Sequence, residues 1–356
     1  MIGNPVSGLQ VAPAVPGVKP AVPVLLRLTS LRALAALGVF SFHLVRWDVL
    51  AFEPARIGYV GVSFFFVLSG FVLAWSTVTD AAAGPFYWRR IARVYPLYLV
   101  CLIASLLVPV TAYPVTLEGA IASVVLLQAW SPNEEVAFAL NGVSWSLSCE
   151  AAFYLAMPFL LRLLGPRHSA WRWTFALILS TVLSAVVLVL AEVGGHAATA
   201  AFTNPILRSG EFVLGLVAAL AVKDGWRLRL PLAALVAGVS AATTALLLPF
   251  PSGDVTLAPS FLVVIVLAAQ YDLQGRRGLL TTRAGVYAGE VSYAFYLVHE
   301  MVILNLKAVP GLAGAALSVV ALVLSCVFAV LLHHAVERPA RRVLLARRRS
   351  VQRRAG

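Results

Sequence analysis

The sequence predicts an all-α, polytopic membrane protein, and three observations carry that prediction. Of 356 residues, 61% are apolar and only 12% are charged, against about 45–50% and 25% in soluble domains. The apolar residues gather in runs close to the roughly 20 that a helix needs to cross a bilayer. Basic residues sit in alternate connections between those runs, as the positive-inside bias requires. A soluble globule is excluded, because no core of this size hides so much apolar side chain.

Residues 1–24 are rich in Pro, Val and Ala, with Lys19 as the only charge. They read as a disordered tail and not a signal peptide, since a basic leader and a cleavage site are both missing. The transmembrane domain is expected over 25–337, with ten spans near 30–47, 57–79, 95–111, 145–164, 173–193, 205–222, 230–250, 257–272, 284–305 and 312–335. The stretch 257–272 is the weakest, being short and ending in Gln270 and Asp272. The apolar piece 117–130 is expected to be a partial helix on the outer side. A full crossing there would send every later basic loop to the opposite face. Ten spans place both termini in the cytoplasm. Trp47, Trp75, Trp88, Trp130, Trp171, Trp173 and Trp226 fall near proposed span ends, as interfacial anchors do.

The net charge is +12, and much of it lies in a basic tail, 338–356, where eight arginines meet no acid. Directly after a membrane helix, the nearer partner for such a tail is the anionic headgroup surface of the lipid bilayer; nucleic acid is not expected. Cys101, Cys149 and Cys326 are scattered through apolar stretches and suggest neither a disulfide framework nor a metal site.

Ionisable groups within spans are costly and are therefore candidates for function. On the expected topology His43, Glu150, Arg208, Glu211 and His299 share the outer half of the bilayer, which suggests one polar chamber; packing between helices would also account for each alone. Arg32 and His43 are eleven residues apart, on nearly one helical face and about 16 Å apart along the axis. A histidine is the natural general base for a hydroxyl near neutral pH, and a cation at the inner mouth suits a phosphorylated donor or a simple positive-inside anchor. In Trp88-Arg89-Arg90-Ile91-Ala92-Arg93, Arg89 and Arg93 are i,i+4 neighbours that form a phosphate clamp or an ordinary interfacial cluster, with Arg90 pointing elsewhere.

An Asn141-Gly142 turn leads into a helix on which Ser146 and Glu150 share a face. If the helices meet, Glu150 is placed to orient His43 or to take a proton itself. No Gly-x-Ser-x-Gly elbow accompanies the serines. Ser292, Tyr296 and His299 form another stripe, explained equally by hydrogen bonding across helices. His333 and His334, beside Glu337-Arg338-Pro339, read as a helix stop, and His168 and His196 as loop residues.

In this order the segments resemble the acyltransferase-3 family of integral-membrane O-acyltransferases, which modify bacterial surface polysaccharides and macrolides. They are Leu31-Arg32-Ala33-Leu34-Ala35-Ala36-Leu37 with His43; Gly61-Val62-Ser63-Phe64-Phe65-Phe66-Val67-Leu68-Ser69-Gly70-Phe71; Arg89-Arg90-x-x-Arg93 before Pro96; Trp145-Ser146-Leu147 with Glu150 and Phe153-Tyr154; Arg208-x-x-Glu211-Phe212; Ser292-Tyr293 to His299; and Glu337-x-Pro339. The resemblance runs from about residue 25 to 342 and implies a ten-helix bundle in the bacterial cytoplasmic membrane. It implies transfer of an acyl group, by family precedent acetyl, from cytosolic acyl-CoA to a hydroxyl of a sugar, glycoside or macrolide-type acceptor, with no metal and no permanently bound cofactor.

By the same resemblance His43 is the catalytic histidine and Arg89 and Arg93 bind the donor phosphates, while Arg32, Glu150 and His299 match polar family positions; in the mechanism these residues suggest, Glu150 supports His43 and Arg32 joins the donor-binding arginines. Ser69, Ser146, Arg208, Glu211, Ser292, Tyr296 and His299 would complete the polar chamber, with Ser69 or Ser146 as an oxyanion donor. An acyl-histidine intermediate is the alternative to direct transfer. Cys149 departs from the expected aliphatic residue and raises a reactive thiol. No soluble domain follows the last span, which favours a small glycoside over a polymer. The competing class is a multi-pass exporter or flippase of a lipid-linked sugar or small glycoside, which would release no CoA thiol.

Overall fold

The computed structural model describes residues 23–77, 83–108, 110–247 and 252–355, with side chains 245–247, 252–253 and 347–355 left aside. Residues 1–22 of the expected tail and the expected span ends at 78–79 and 248–250 lie outside it. Among the described residues every regular element is helical.

The helices are α1 (Leu26–Arg46), α2 (Gly61–Ser76), α3 (Ala83–Leu107), α4 (Leu117–Val124), α5 (Glu134–Ala137), α6 (Trp145–Leu164), α7 (Ser169–Val193), α8 (Gly195–Thr203), α9 (Ser209–Lys223), α10 (Leu230–Leu247), α11 (Ala258–Leu273), α12 (Arg283–Lys307), α13 (Gly314–Leu332) and α14 (Arg338–Ala355). Each of the ten expected spans meets one long helix. Among the described residues seven helical stretches are long and apolar enough to cross a membrane by length and composition alone. Exposed Leu107, Leu155, Phe159 and Val193 give these helices an outer surface that water would reject and lipid accepts. The protein is an all-α, polytopic membrane protein.

Some boundaries differ from expectation for identifiable reasons. α3 begins twelve residues before the expected 95, so the whole arginine cluster is helical; long arginine stems lie along apolar surface while their heads reach polar ground. The stretch 117–130 breaks into α4 and a 3-10 turn at Gln128–Trp130. Eight residues of α4 span about 12 Å, well short of a bilayer core of about 30 Å. The Asp272 that weakened the eighth span is held by Arg27, whose guanidinium lies 2.6 Å away and whose backbone N–H donates at 2.8 Å. His333 and His334 do not stop a helix: α13 passes through a π-helical turn, His333–Glu337, straight into α14. His168 caps α7 by accepting from the Trp171 N–H, and His196 lies in α8.

Two parallel pairings place the site. α2 and α9 cross at backbone contact: a Cβ on Gly70 would fall 1.9 Å from the Phe212 carbonyl oxygen, and one on Gly215 the same distance from that of Val67. Small residues let membrane helices approach this closely, where packing and not water exclusion drives association. Phe153 stacks on Phe212 and meets Phe66 edge-on beside this crossing. The second pair is α1 with α12, where His43 meets His299 and Trp47 meets Lys307. At that end of the bundle α4, α5 and α8 form a cover. Tyr98 donates to the Ser123 carbonyl, Gln128 to that of Ser144, and Thr199 to Glu134.

Candidate active site

His43 is buried in the last turns of α1, and its hydrogen bonds assign its tautomer. Nδ1 of His299 lies 2.8 Å from the Tyr296 carbonyl and 3.3 Å from that of Phe295. Facing two acceptors, that nitrogen carries the proton. Nε2 of His299 is then an acceptor, 3.1 Å from Nδ1 of His43, which also lies 2.9 Å from the Val39 carbonyl. The His43 proton therefore resides on Nδ1, and Nε2 keeps a lone pair.

The carboxylate nearest that nitrogen is Glu300, 3.4 Å away and placed to pair with the ring once it takes a proton, not Glu150. Trp47 donates to the same oxygen at 3.3 Å. Gly142 leaves room for the other oxygen, since a Cβ there would come within 2.5 Å of it. Asn141 ties this turn to α12 by donating to the Leu297 carbonyl at 2.8 Å. Glu300 was missed in the sequence because it stands next to His299, about 100° further round the helix and off the Ser292–Tyr296–His299 stripe. Only the position of α1 brings it to His43.

Three cavities run along α1 and α12 in place of one chamber. The outer one, about 280 Å³, is lined by His43, Glu300, Arg46, Glu134, Thr199 and a wall of rings including Phe42, Tyr59, Tyr113, Trp145 and Phe202. In its cover, burial and the neighbouring Glu134 carboxylate push the Tyr113 hydroxyl above the ordinary phenol range. The middle cavity, about 90 Å³, is lined by Arg32, Arg90, Arg93, Ser69, Ser146, Glu150, Tyr154, Ser292 and Tyr296. The inner one, about 460 Å³, is lined by Arg32, Arg93, Trp75, Glu290, His333, Glu337, Arg338 and Arg341. Arg32, Val72 and Arg93 border both inner and middle cavities, and Tyr296 borders both middle and outer. The chain thus holds a line of cavities from an arginine-rich mouth to His43.

Glu150 belongs to the middle of this line. It accepts from the Tyr154 hydroxyl and lines the middle cavity together with Arg32, Arg90 and Arg93. Tyr296 and Ser146 share a hydrogen bond of 2.9 Å, and Tyr296 reaches the Val143 carbonyl at 3.1 Å. Ser292 donates to the Gly289 carbonyl.

Three expected members stand elsewhere. Arg89 is exposed and lines none of these three cavities, whereas Arg90 lines the middle one. The buried face of α3 carries Phe86, Val94, Leu97 and Cys101; at 100° per residue Arg90 lies on that stripe, Arg93 at its edge and Arg89 beyond it. Arg208 and Glu211 are fully or almost fully buried in a separate ion cluster. Arg208 bonds Asp254 at 2.6 Å, Glu211 at 2.9 Å and Ser63 at 2.7 Å, with its guanidinium over the Phe66 ring. This cluster joins α2, α9 and the turn before α11 and lines none of the three cavities. Cys149 is no exposed thiol: it is fully buried and donates to the Thr203 carbonyl. Among the described residues no three His, Cys, Asp or Glu side chains cluster as a metal site would.

Comparison with known proteins places this geometry. A family profile described as an acyltransferase domain matches residues 25–334. "Acyltransferase MdmB" of Streptomyces mycarofaciens is 36% identical over 91% of this chain and 93% of its own length. "Exopolysaccharide production protein ExoZ" of Rhizobium meliloti is 28% identical over 82% of this chain and 92% of its own. "O-acetyltransferase OatA" of Staphylococcus aureus is 24% identical over 88% of this chain but 57% of its own. No solved structure gives a significant match. The profile spans nearly every helix that builds the line of cavities, and the chain belongs to the acyltransferase-3 family as a membrane-embedded enzyme that transfers acyl groups.

Proposed function

We propose that the protein is an O-acyltransferase of the bacterial cytoplasmic membrane. It moves an acyl group, acetyl by family precedent, from cytosolic acyl-CoA to a hydroxyl of a sugar, glycoside or macrolide-type acceptor. The observation that carries this reading is the line of cavities with arginines at one end and His43 at the other. A ten-span path with both termini cytoplasmic puts the arginine end inside, and the parallel senses of α1 with α12 and α2 with α9 agree with that path.

The donor's phosphates are held by Arg32, Arg90 and Arg93, and its pantetheine arm runs through the middle cavity past Tyr296. The acceptor enters the outer cavity, where ring faces suit a glycoside or macrolide surface and polar groups fix the hydroxyl. Nε2 of His43 takes the hydroxyl proton as the oxygen attacks the thioester carbonyl, and Glu300 stabilises the resulting imidazolium. His299 holds the Nδ1 tautomer throughout. As charge develops on the acyl carbonyl oxygen, the Tyr296 hydroxyl turns its proton from the Val143 carbonyl to that oxyanion. Collapse breaks the C–S bond, and the proton on His43 passes to the thiolate, releasing CoA thiol and the ester.

The test is CoA-thiol release by purified protein with acetyl-CoA and a panel of glycoside and macrolide hydroxyls. Wild type should release thiol only with acceptor, and His43→Ala should abolish release while keeping thermal stabilisation by acetyl-CoA. Release that survives in His43→Ala would overturn the chemistry. An absence of stabilisation by any acyl-CoA would move the transport reading forward.

A further inference from the structure

The inner cavity has two charged walls, and the acyl-CoA reading accounts for only one. On one side stand Arg32 and Arg93, with Arg90 beyond them. On the other stand Arg338 and Arg341 of α14. Arg93 and Arg341 line the same cavity. Two carboxylates share the cavity, Glu290 and Glu337, so four guanidiniums leave an excess of positive charge. Such an arrangement stores repulsion that a polyanion relieves.

The backbone shows how α14 comes to face inward. The π turn His333–Glu337 carries one residue more than an α turn, which shifts the helical phase by about 100°. Arg338 and Arg341, one turn apart, are thereby turned onto the cavity. The Trp88 indole fastens α14 to α3 by donating to the Leu344 carbonyl at 3.0 Å. Within the π turn His333 Nδ1 meets Glu337 at 2.8 Å. Its buried Nε2 has no partner among the described residues, and His333 lines the cavity. An unpaired ring nitrogen in a buried place is costly without a ligand, and π turns of this kind are frequent at functional sites.

We propose that α14 completes the donor site, with Arg338 and Arg341 binding a phosphomonoester, the ribose 3′-phosphate of the donor nucleotide, while Arg32, Arg90 and Arg93 hold its diphosphate. His333 belongs to the wall of the same cavity. The inference rests on acyl-CoA being the donor. It makes the C-terminal helix a specificity element, since the 3′-phosphate is what distinguishes CoA from dephospho-CoA.

The experiment measures the affinities of CoA and dephospho-CoA for the full-length protein in zwitterionic nanodiscs. It compares wild type, Arg338→Gln/Arg341→Gln and Arg90→Ala/Arg93→Ala, and repeats wild type and the α14 variant with anionic lipid added. Wild type should prefer CoA by about tenfold, the size expected for about 1.4 kcal/mol. The α14 variant should bind dephospho-CoA as wild type does and lose the preference, and Arg341→Lys should keep part of it. The Arg90/Arg93 variant should weaken both ligands together. A wild type that binds both equally, or an α14 variant that keeps the preference, overturns the proposal. So does an effect confined to anionic nanodiscs, which would assign these arginines to lipid headgroup phosphates. A wild type that binds neither ligand removes the acyl-CoA reading itself, an outcome separate from binding both equally.

Discussion

His43 presents a lone pair to the outer cavity because His299 and Val39 occupy its other nitrogen. Glu300→Gln keeps the shape and removes the countercharge for the imidazolium. It should lower kcat about 10²-fold, within the range for one acid–base partner, with the KM for acetyl-CoA nearly unchanged. A kcat within threefold of wild type would show that Glu300 is a packing residue. Gly142→Ala places a methyl on the Glu300 carboxylate and should reproduce much of that loss without unfolding, read by activity beside a melting curve. In the arginine cluster the stripe argument separates neighbours: Arg89→Ala should leave CoA affinity unchanged, and Arg90→Ala should weaken it at least tenfold in a direct binding titration.

Between elements, the α2–α9 crossing and the Arg208 cluster belong to stability. Gly215→Ala forces a Cβ against the Val67 carbonyl, and overpacking of this kind costs about 1–3 kcal/mol. Asp254→Asn leaves Arg208 buried with half its countercharge; removing one partner of a buried ionic group costs about 3–5 kcal/mol. Both variants should melt earlier in detergent. What remains folded should bind CoA as wild type does, because neither position lines the cavities. Selective loss of CoA binding at an unchanged melting temperature would place the Arg208 cluster in the donor path after all.

Across the whole molecule the arginine-lined inner cavity and His43 lie toward opposite ends of the bundle. Tyr296 is the residue that the middle and outer cavities share. Tyr296→Trp should block transfer while leaving CoA binding intact at the arginine mouth, so thermal stabilisation by CoA persists as thiol release stops. Equal loss of both would mean that the donor does not pass Tyr296.

The sequence by itself determined the class of the protein, the places of ten long helices, and the single α1 face that carries Arg32 and His43. Those follow from local rules, because a bilayer sets the length of an apolar run and the helix sets 100° per residue. Tertiary structure alone decided the partners. It gave His43 the carboxylate of Glu300 and sent Glu150 to the arginines. It turned Arg90 inward in place of Arg89, and it withdrew Arg208 and Glu211 into an ion cluster with Asp254. Each of those outcomes depends on which face of a helix is buried against elements distant in sequence. Spacing along one helix carries no record of that choice.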